Sequence, residues 1–423
     1  MRRFYVIILL FIAIPLSAQR LRVAFIGDPQ VDDETELGYA RRSIYAELGA
    51  RKDLDLAIFL GDLVNDDVAL LVPTRAILDS LPFPWACVPG NHDRDFYGLK
   101  KGRAVSFDRT VQEGKARDMA SYTRIIGSPD TSFVMGGVRF IMMDDVRNKG
   151  GQGYEGGFRE DQKAWLAKQL SATPEKMPAV LCAHIPFSEF KALDSLEAIL
   201  SAHPKMLLMC GHTHTMARHL LEFPGGLALE EVLAGAACGS WWRGIPDEQG
   251  IPSATQNCGS PRCYYLADFS RRGYCLDYKV IGRPAKEKAS AWIADSTRLV
   301  LNIYGGSTEG EVQVKLPGCR WIDVPRSREP APEVLAVVEF NRSLPKKRRS
   351  RNHQYIPLRT VDSPHIWAVN MKNDPELLEA LQKAEGKEIK IRYRDPDIWN
   401  RRSAPSLMSS YLRVVPFSLT PSK

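Results

Sequence analysis

Hydrophobic and polar positions alternate along this chain in two distinct styles. The first style begins after a basic start, Met1-Arg2-Arg3, and an apolar run from Phe4 to Leu16 that closes on Ser17-Ala18-Gln19. A short apolar stretch between positive charge and small residues is the pattern of a secretory leader, and it is shorter than a bilayer-spanning helix needs. Residues 1–19 are therefore expected to be a signal peptide and the mature chain periplasmic or secreted; the alternative is an uncleaved anchor. Beyond it, Val23 to Ile26, Ala57 to Leu60, Trp85 to Val88, Ala179 to Ala183 and Met206 to Met209 read as short buried strands. Thr35 to Lys52, Asp161 to Leu170 and Glu189 to Ser201 carry apolar residues at helical spacing. This rhythm predicts a layered α/β domain, with sites in the loops that follow the strands. Val134 to Met143, with Gly136-Gly137 at its middle, predicts a hairpin.

The style changes past Gly282-Arg283-Pro284. Leu299 to Tyr304, Glu311 to Leu316, Val334 to Phe340, His365 to Val369, Ile389 to Tyr393 and Tyr411 to Val415 read as strands, with one short helix expected over Pro375 to Ala384. The expected organisation is a signal peptide over 1–19, an α/β catalytic domain over 20–284 and a smaller mostly-β domain over 285–423.

Composition changes this picture little: 423 residues, 44% hydrophobic and 25% charged, describe an ordinary folded chain. Charge distribution changes it more. Residues 20–284 hold 31 Lys and Arg against 34 Asp and Glu, while 285–423 hold 24 against 16, net +8. The basic excess includes the run Lys346-Lys347-Arg348-Arg349-Ser350-Arg351. It points to an anionic envelope surface as a partner of the C-terminal domain, or to a solvated loop; no nucleic acid is expected, since the run lacks interleaved aromatics. Of eight cysteines, Cys87, Cys182, Cys210 and Cys238 sit in apolar runs and read as core thiols. Cys258 and Cys263 flank a turn-rich loop and are the leading disulfide candidates, with Cys275 and Cys319 as alternatives.

Five polar clusters each close an apolar run: Gly27-Asp28-Pro29-Gln30, Gly61-Asp62-Leu63-Val64-Asn65, Gly90-Asn91-His92-Asp93, Ala183-His184-Ile185-Pro186 and Gly211-His212-Thr213-His214. Each alone is an ordinary turn or strand end. Together they gather carboxylate, amide and imidazole donors on one rim, a set suited to two divalent cations, and imidazole favours Zn, Fe or Mn over Mg or Ca.

The five clusters, in this order, resemble the calcineurin-like metallophosphoesterase superfamily and its D-x-H, GD-x-x-[DN], GNH[DE], H and GH-x-H pattern. The resemblance implies a four-layer α/β/β/α sandwich followed by the smaller β domain, and a dinuclear site of two divalent or trivalent transition-metal ions. It implies that Asp28, Gln30 and His214 hold the first metal, that Asp62 bridges, and that Asn91, His184 and His212 hold the second. His92 corresponds to the family's catalytic histidine, which is not a ligand. Gln30 departs from the commoner histidine; its amide oxygen is a harder, weaker donor. Gly239-Ser240-Trp241-Trp242 and the β-rich tail resemble exported bacterial members with a dedicated C-terminal domain, and Trp241 and Trp242 are candidates for substrate contact, or for packing.

The implied activity is hydrolysis of phosphate mono- or diesters by in-line attack of a hydroxide held between the ions, with His92 acting on the leaving group. Two other classes compete: a protein that captures phosphate ligands without turnover, and an envelope-binding module whose work is done by the C-terminal domain.

Overall fold

The computed structural model describes residues 20–95, 97–100, 103–107, 118–150, 153–204, 206–270, 273–347, 352–395 and 406–414. The expected leader and the basic residues Arg348 to Arg351 lie outside the described residues; Lys346 and Lys347 are exposed. Among the described residues no helix is long and apolar enough to cross a membrane.

Two sheets form the centre of the N-terminal domain. The first has five strands in the order Gly273–Val280, Cys263–Ser270, Leu21–Ile26, Leu56–Phe59 and Trp85–Cys87. The last three run parallel, while Cys263–Ser270 pairs antiparallel with the first strand, Phe269 opposite Leu21. The second sheet has six strands, ordered Met216–Glu222, Ala228–Ala234, Met206–Cys210, Ala179–Cys182, Val138–Met142 and Thr131–Met135. The last two form the hairpin expected around Gly136-Gly137.

The central strands are apolar on both faces because both faces are covered. Along Leu21–Ile26, Val23 and Phe25 enter the core between the sheets, where they join Phe140, Val180 and Leu207. Their neighbours Ala24 and Ile26 face the other way, onto Leu37, Ala40 and Ile44 of a helical stretch that starts at Glu34. This is the period-two alternation of a strand. Asp33 caps that stretch by accepting the Thr35 and Glu36 N–H groups. Beyond the second sheet, Ile141, Leu181 and Leu208 pack on Leu166 and Leu170 of helix Glu160–Ser171 and on Leu196 of helix Asp194–Leu200. The result is a four-layer α/β/β/α sandwich.

The separate C-terminal domain is mostly β. Its eight strands run in the order Trp321–Val324, Glu311–Lys315, Glu388–Arg394, Ser406–Val414, Ala289–Ala294, Arg298–Ile303, Ile366–Asn370 and Arg326–Ser327. Helix Pro375–Lys383 covers one face through Leu381, against Ala291 and Leu301. The other face differs from expectation: Val334 to Phe340 is not a strand but part of helix Pro332–Ser343. Pro332 fits the first turn, where its missing N–H leaves no bond unmade. Val334 and Val338, one turn apart, pack on Trp292 and Val300.

The cysteine expectation is corrected as well. None of the eight is disulfide-bonded and six are buried. Cys258 and Cys263 both sit in the core between the sheets, where the Cys258 sulfur takes the Met216 N–H at 3.3 Å and the Cys263 sulfur takes the Gln256 amide at 3.2 Å. Cys275 is exposed and Cys319 half-buried, neither bridged.

Candidate metal centre

Asp28 and Gln30 follow strand Leu21–Ile26, Asp62 follows Leu56–Phe59, and Asn91 and His92 follow Trp85–Cys87. These strands are adjacent and parallel, so their carboxyl ends open onto one rim. From the second sheet, His184 follows Ala179–Cys182, and His212 and His214 follow Met206–Cys210, again parallel neighbours. The two rims meet. The His184 Nε2 lies 3.0 Å from Asn91 Oδ1, 3.2 Å from His212 Nδ1 and 3.4 Å from Asp62 Oδ2. Ligand atoms of Asp62, His184 and His212 all lie within 4.8 Å of one another. Beside them, His214 Nε2 is 3.9 Å from Asp28 Oδ1, and Asp28 also accepts the His212 N–H at 3.0 Å.

The hydrogen bonds around this group fix what it can bind. His184 Nδ1 donates to the Leu60 carbonyl at 2.8 Å and His214 Nδ1 donates to the Gly239 carbonyl at 2.6 Å. A carbonyl only accepts, so in each neutral ring the hydrogen sits on Nδ1 and Nε2 presents a lone pair. Around a neutral His184 Nε2 the oxygens of Asn91 and Asp62 then meet a lone pair with no hydrogen between them, and His212 Nδ1 lies beside them. Such a knot needs positive charge at its centre, and the donor set suits a transition-metal ion. Left to protons alone, the cluster divides its charge unevenly. Burial opposes a charged His184, but the Asp62 carboxylate wins and raises it to about 10. Burial, followed by the charge on His184, pushes His212 down to about 3, and burial pushes His214 down to about 4. Burial also raises the Asp28 carboxyl well above the usual range, whereas Asp62, equally buried, is lowered by His184 and His92.

Backbone strain concentrates here. Eleven described non-glycine residues have positive φ, and eight of them are Asp28, Gln30, Asp62, Asp66, His212, His214, Trp241 and Trp242. Each such residue costs on the order of 1–3 kcal/mol and persists only where the surroundings hold it. Close approach is equally marked at Gly90, where a Cβ would sit 2.0 Å from Asp62 Oδ1 and 2.4 Å from Asp62 N.

His92 stands apart from the ligand knot. Its backbone N–H donates to Asp62 Oδ1 at 2.9 Å, and its ring Nδ1 lies 2.7 Å from Asp66 Oδ1. Burial works against its charge, yet the carboxylates of Asp62 and Asp66 raise it to about 9. Gln30 is buried; its amide nitrogen donates to Asn65 Oδ1 at 3.0 Å, and its oxygen meets the Cys238 sulfur only at 3.9 Å, too far for a strong bond. That leaves a lone pair for a cation.

The two tryptophans part company. Trp241 is 38% exposed and stacks on His214, ring centroids 4.6 Å apart. Trp242 is 2% exposed; its indole N–H donates to the Gln30 carbonyl at 2.9 Å and its ring packs near Tyr39 and Arg262. Trp242 is therefore a core residue that supports the Gln30 backbone, not a substrate contact. Sequence reasoning passed over Asp66 and Asp145. Asp145 is buried and accepts the His184 and Ile185 N–H groups at 3.1 and 2.9 Å, and burial raises it to about 7. Its signal was present, since Asp144-Asp145 closes the apolar run of Val138–Met142, but that pair carries no histidine to draw the eye.

Residues 21–216 match the family model described as calcineurin-like phosphoesterase, and residues 231–395 match that described as the C terminal of calcineurin-like phosphoesterase. Comparison with curated proteins gave no match. Among solved structures, the chain is similar to GAP50, the anchor in the inner membrane complex of Plasmodium, at 16% identity over 63% of this chain and 85% of that one, TM-score 0.37. It is similar to a 5'-nucleotidase precursor from Thermus thermophilus at 14% identity, over 62% of this chain and 55% of that one, TM-score 0.35. A metallophosphoesterase from Sphaerobacter thermophilus matches at 14% identity, over 60% of this chain and 86% of that one, TM-score 0.27.

Proposed function

Because the chain belongs to the calcineurin-like phosphoesterases, metal-dependent hydrolases of phosphoric esters, we propose that it cleaves phosphate mono- or diesters at a two-metal site. Asp28, Gln30 and His214 would hold one ion, Asn91, His184 and His212 the other, and Asp62 would lie between them. The observation that carries this reading is the convergence on His184 Nε2 of Asn91 Oδ1, His212 Nδ1 and Asp62 Oδ2 at 3.0–3.4 Å. Two ions of the Mn, Fe or Zn type would neutralise the phosphoryl oxygens and acidify a water for in-line attack.

The chain's own residues complete the chemistry. With Nδ1 engaged by Asp66, His92 has Nε2 left to give a proton to the departing oxygen. The carbonyls of Leu60 and Gly239 hold the two ligand imidazoles in the tautomer that turns Nε2 to the site. The apolar leader supports an exported location, to be checked by the mass of the mature protein. The net +8 of residues 285–423, with Lys346 and Lys347 exposed, supports an anionic envelope surface as a further partner.

The test is metal analysis of the purified protein together with hydrolysis of p-nitrophenyl phosphate and its bis ester. Asp62→Asn should lower bound metal and abolish turnover, since one carboxylate serves both ions. A fully active Asp62→Asn protein would overturn the two-metal reading.

A further inference from the structure

Beside the ligand cluster lies a cavity of ≈ 440 Å³ lined by Asp32, Glu36, Asn65, Trp241, Arg243, Tyr355 and Pro357. That volume is ordinary for a small-molecule site, typically about 300–1,000 Å³. Trp241 joins the cavity to the metal centre, because one face of its ring covers His214 while the residue stays 38% exposed.

Tyr355 comes from the C-terminal domain and is clamped from two sides. The side chain of Asn341, on helix Pro332–Ser343, donates to the Ile356 carbonyl at 2.6 Å and accepts the Ile356 N–H at 3.3 Å. From the N-terminal domain, the Gly244 N–H donates to the His353 carbonyl at 2.8 Å. Segment 353–356 is thus tied to the same loop that carries Trp241 and Arg243, and the wall it forms is built in rather than draped over the cleft.

We propose that this cavity is the leaving-group subsite and that it receives a neutral, polyhydroxylated group, a sugar or polyol, esterified to the phosphate. The inference rests on the phosphoesterase reading and deepens it. The lining argues for hydroxyl groups: Asp32 and Glu36 accept hydrogen bonds, Arg243 donates them, and Asn65 and Tyr355 do both. A ring with adjacent hydroxyls matches that mixture, since each hydroxyl also does both. Trp241 has one face taken by His214, so it offers a single apolar platform, suited to the C–H face of a sugar. With Asp32 and Glu36 beside its single guanidinium, the cavity holds no surplus of positive charge for further phosphate on the leaving group.

The experiment compares kcat/KM for glucose 6-phosphate, glycerol phosphate, adenosine monophosphate and p-nitrophenyl phosphate in the wild type, Trp241→Ala and Tyr355→Ala. The ratio of sugar-phosphate to p-nitrophenyl-phosphate kcat/KM should fall by at least about tenfold in both variants. Competitive inhibition of the wild type by free glucose or glycerol gives a second reading, and it should weaken in Tyr355→Ala. A ratio that moves less than about twofold in both variants overturns the inference. So does a wild-type preference for the nucleotide over the sugar phosphates. With p-nitrophenyl phosphate still hydrolysed, either result removes the subsite alone; a wild type that cleaves no ester with its metal bound removes the phosphoesterase reading and the subsite together.

Discussion

Two histidines of this chain are tuned in opposite directions by their neighbours. His92, between the carboxylates of Asp62 and Asp66, is raised by them to about 9 against the opposing effect of burial. His92→Ala should keep its metal yet lose about 10²- to 10⁴-fold in rate, the usual range for acid catalysis. The loss should shrink on esters of acidic alcohols; equal losses on good and poor leaving groups would remove the proton-donor role. His365, buried in the C-terminal domain, hydrogen-bonds Asn302 Oδ1 at 2.7 Å, and burial lowers it to about 3. Its folded value lies below the unfolded one of about 6.5, so the unfolded chain takes up the proton more readily. Stability contributed by the neutral ring is complete above pH 6.5 and is lost as pH falls towards 3, at up to about 1.4 kcal/mol per unit. His365→Gln should therefore show a smaller drop in urea midpoint between pH 7.5 and 5.5 than the wild type. Identical drops would assign the acid sensitivity to other groups.

At the scale of elements, the site depends on loops that turn sharply off parallel strands. Gly90 lies against the backbone of Asp62 itself, which cannot retreat without moving the end of strand Leu56–Phe59. Gly90→Ala should lower metal retention and cut activity by at least about tenfold while far-ultraviolet circular dichroism is unchanged. Retained metal and activity would show that the loop can yield. These strand-end clusters were legible in the sequence because each polar group directly follows an apolar run, and the structure brings Asp62, Asn91, His184 and His212 to one place. The helix Pro332–Ser343 was not legible, since its run of Val and Leu satisfies strand and helix patterns alike until Pro332 and the packing of Val334 decide. Asp66 and Asp145 were missed for another reason. Their role is to hold a histidine ring or a backbone through contacts that only the fold creates.

Across the whole molecule, the two domains are joined through a buried charge cluster that sequence reading could not anticipate. Arg218, on strand Met216–Glu222, donates to Glu230 Oε1 at 2.8 Å and to Asp395 Oδ2 at 3.0 Å, its second partner 177 residues away. Tyr274 donates to the other oxygen of Glu230. Removing one member of such a cluster leaves buried charge without its counterpart, at a cost of about 3–5 kcal/mol. Arg218→Ala should lower the thermal midpoint and divide unfolding into two steps. A single transition at the wild-type midpoint would show that the cluster does not couple the domains.

The pairing of Leu21–Ile26 has a further consequence for how the protein is made. One neighbour of this strand, Leu56–Phe59, leaves the ribosome soon after it, but the other, Cys263–Ser270, emerges some two hundred and forty residues later. Until then the strand offers an open row of unpaired backbone groups and an apolar face to any other chain nearby. Vectorial synthesis therefore cannot complete the metal-bearing domain until the strand Cys263–Ser270, near its far end, has been made. A nascent chain halted before Cys263 lacks the strand that pairs with Leu21–Ile26 on that side, and this edge of its central sheet stays open.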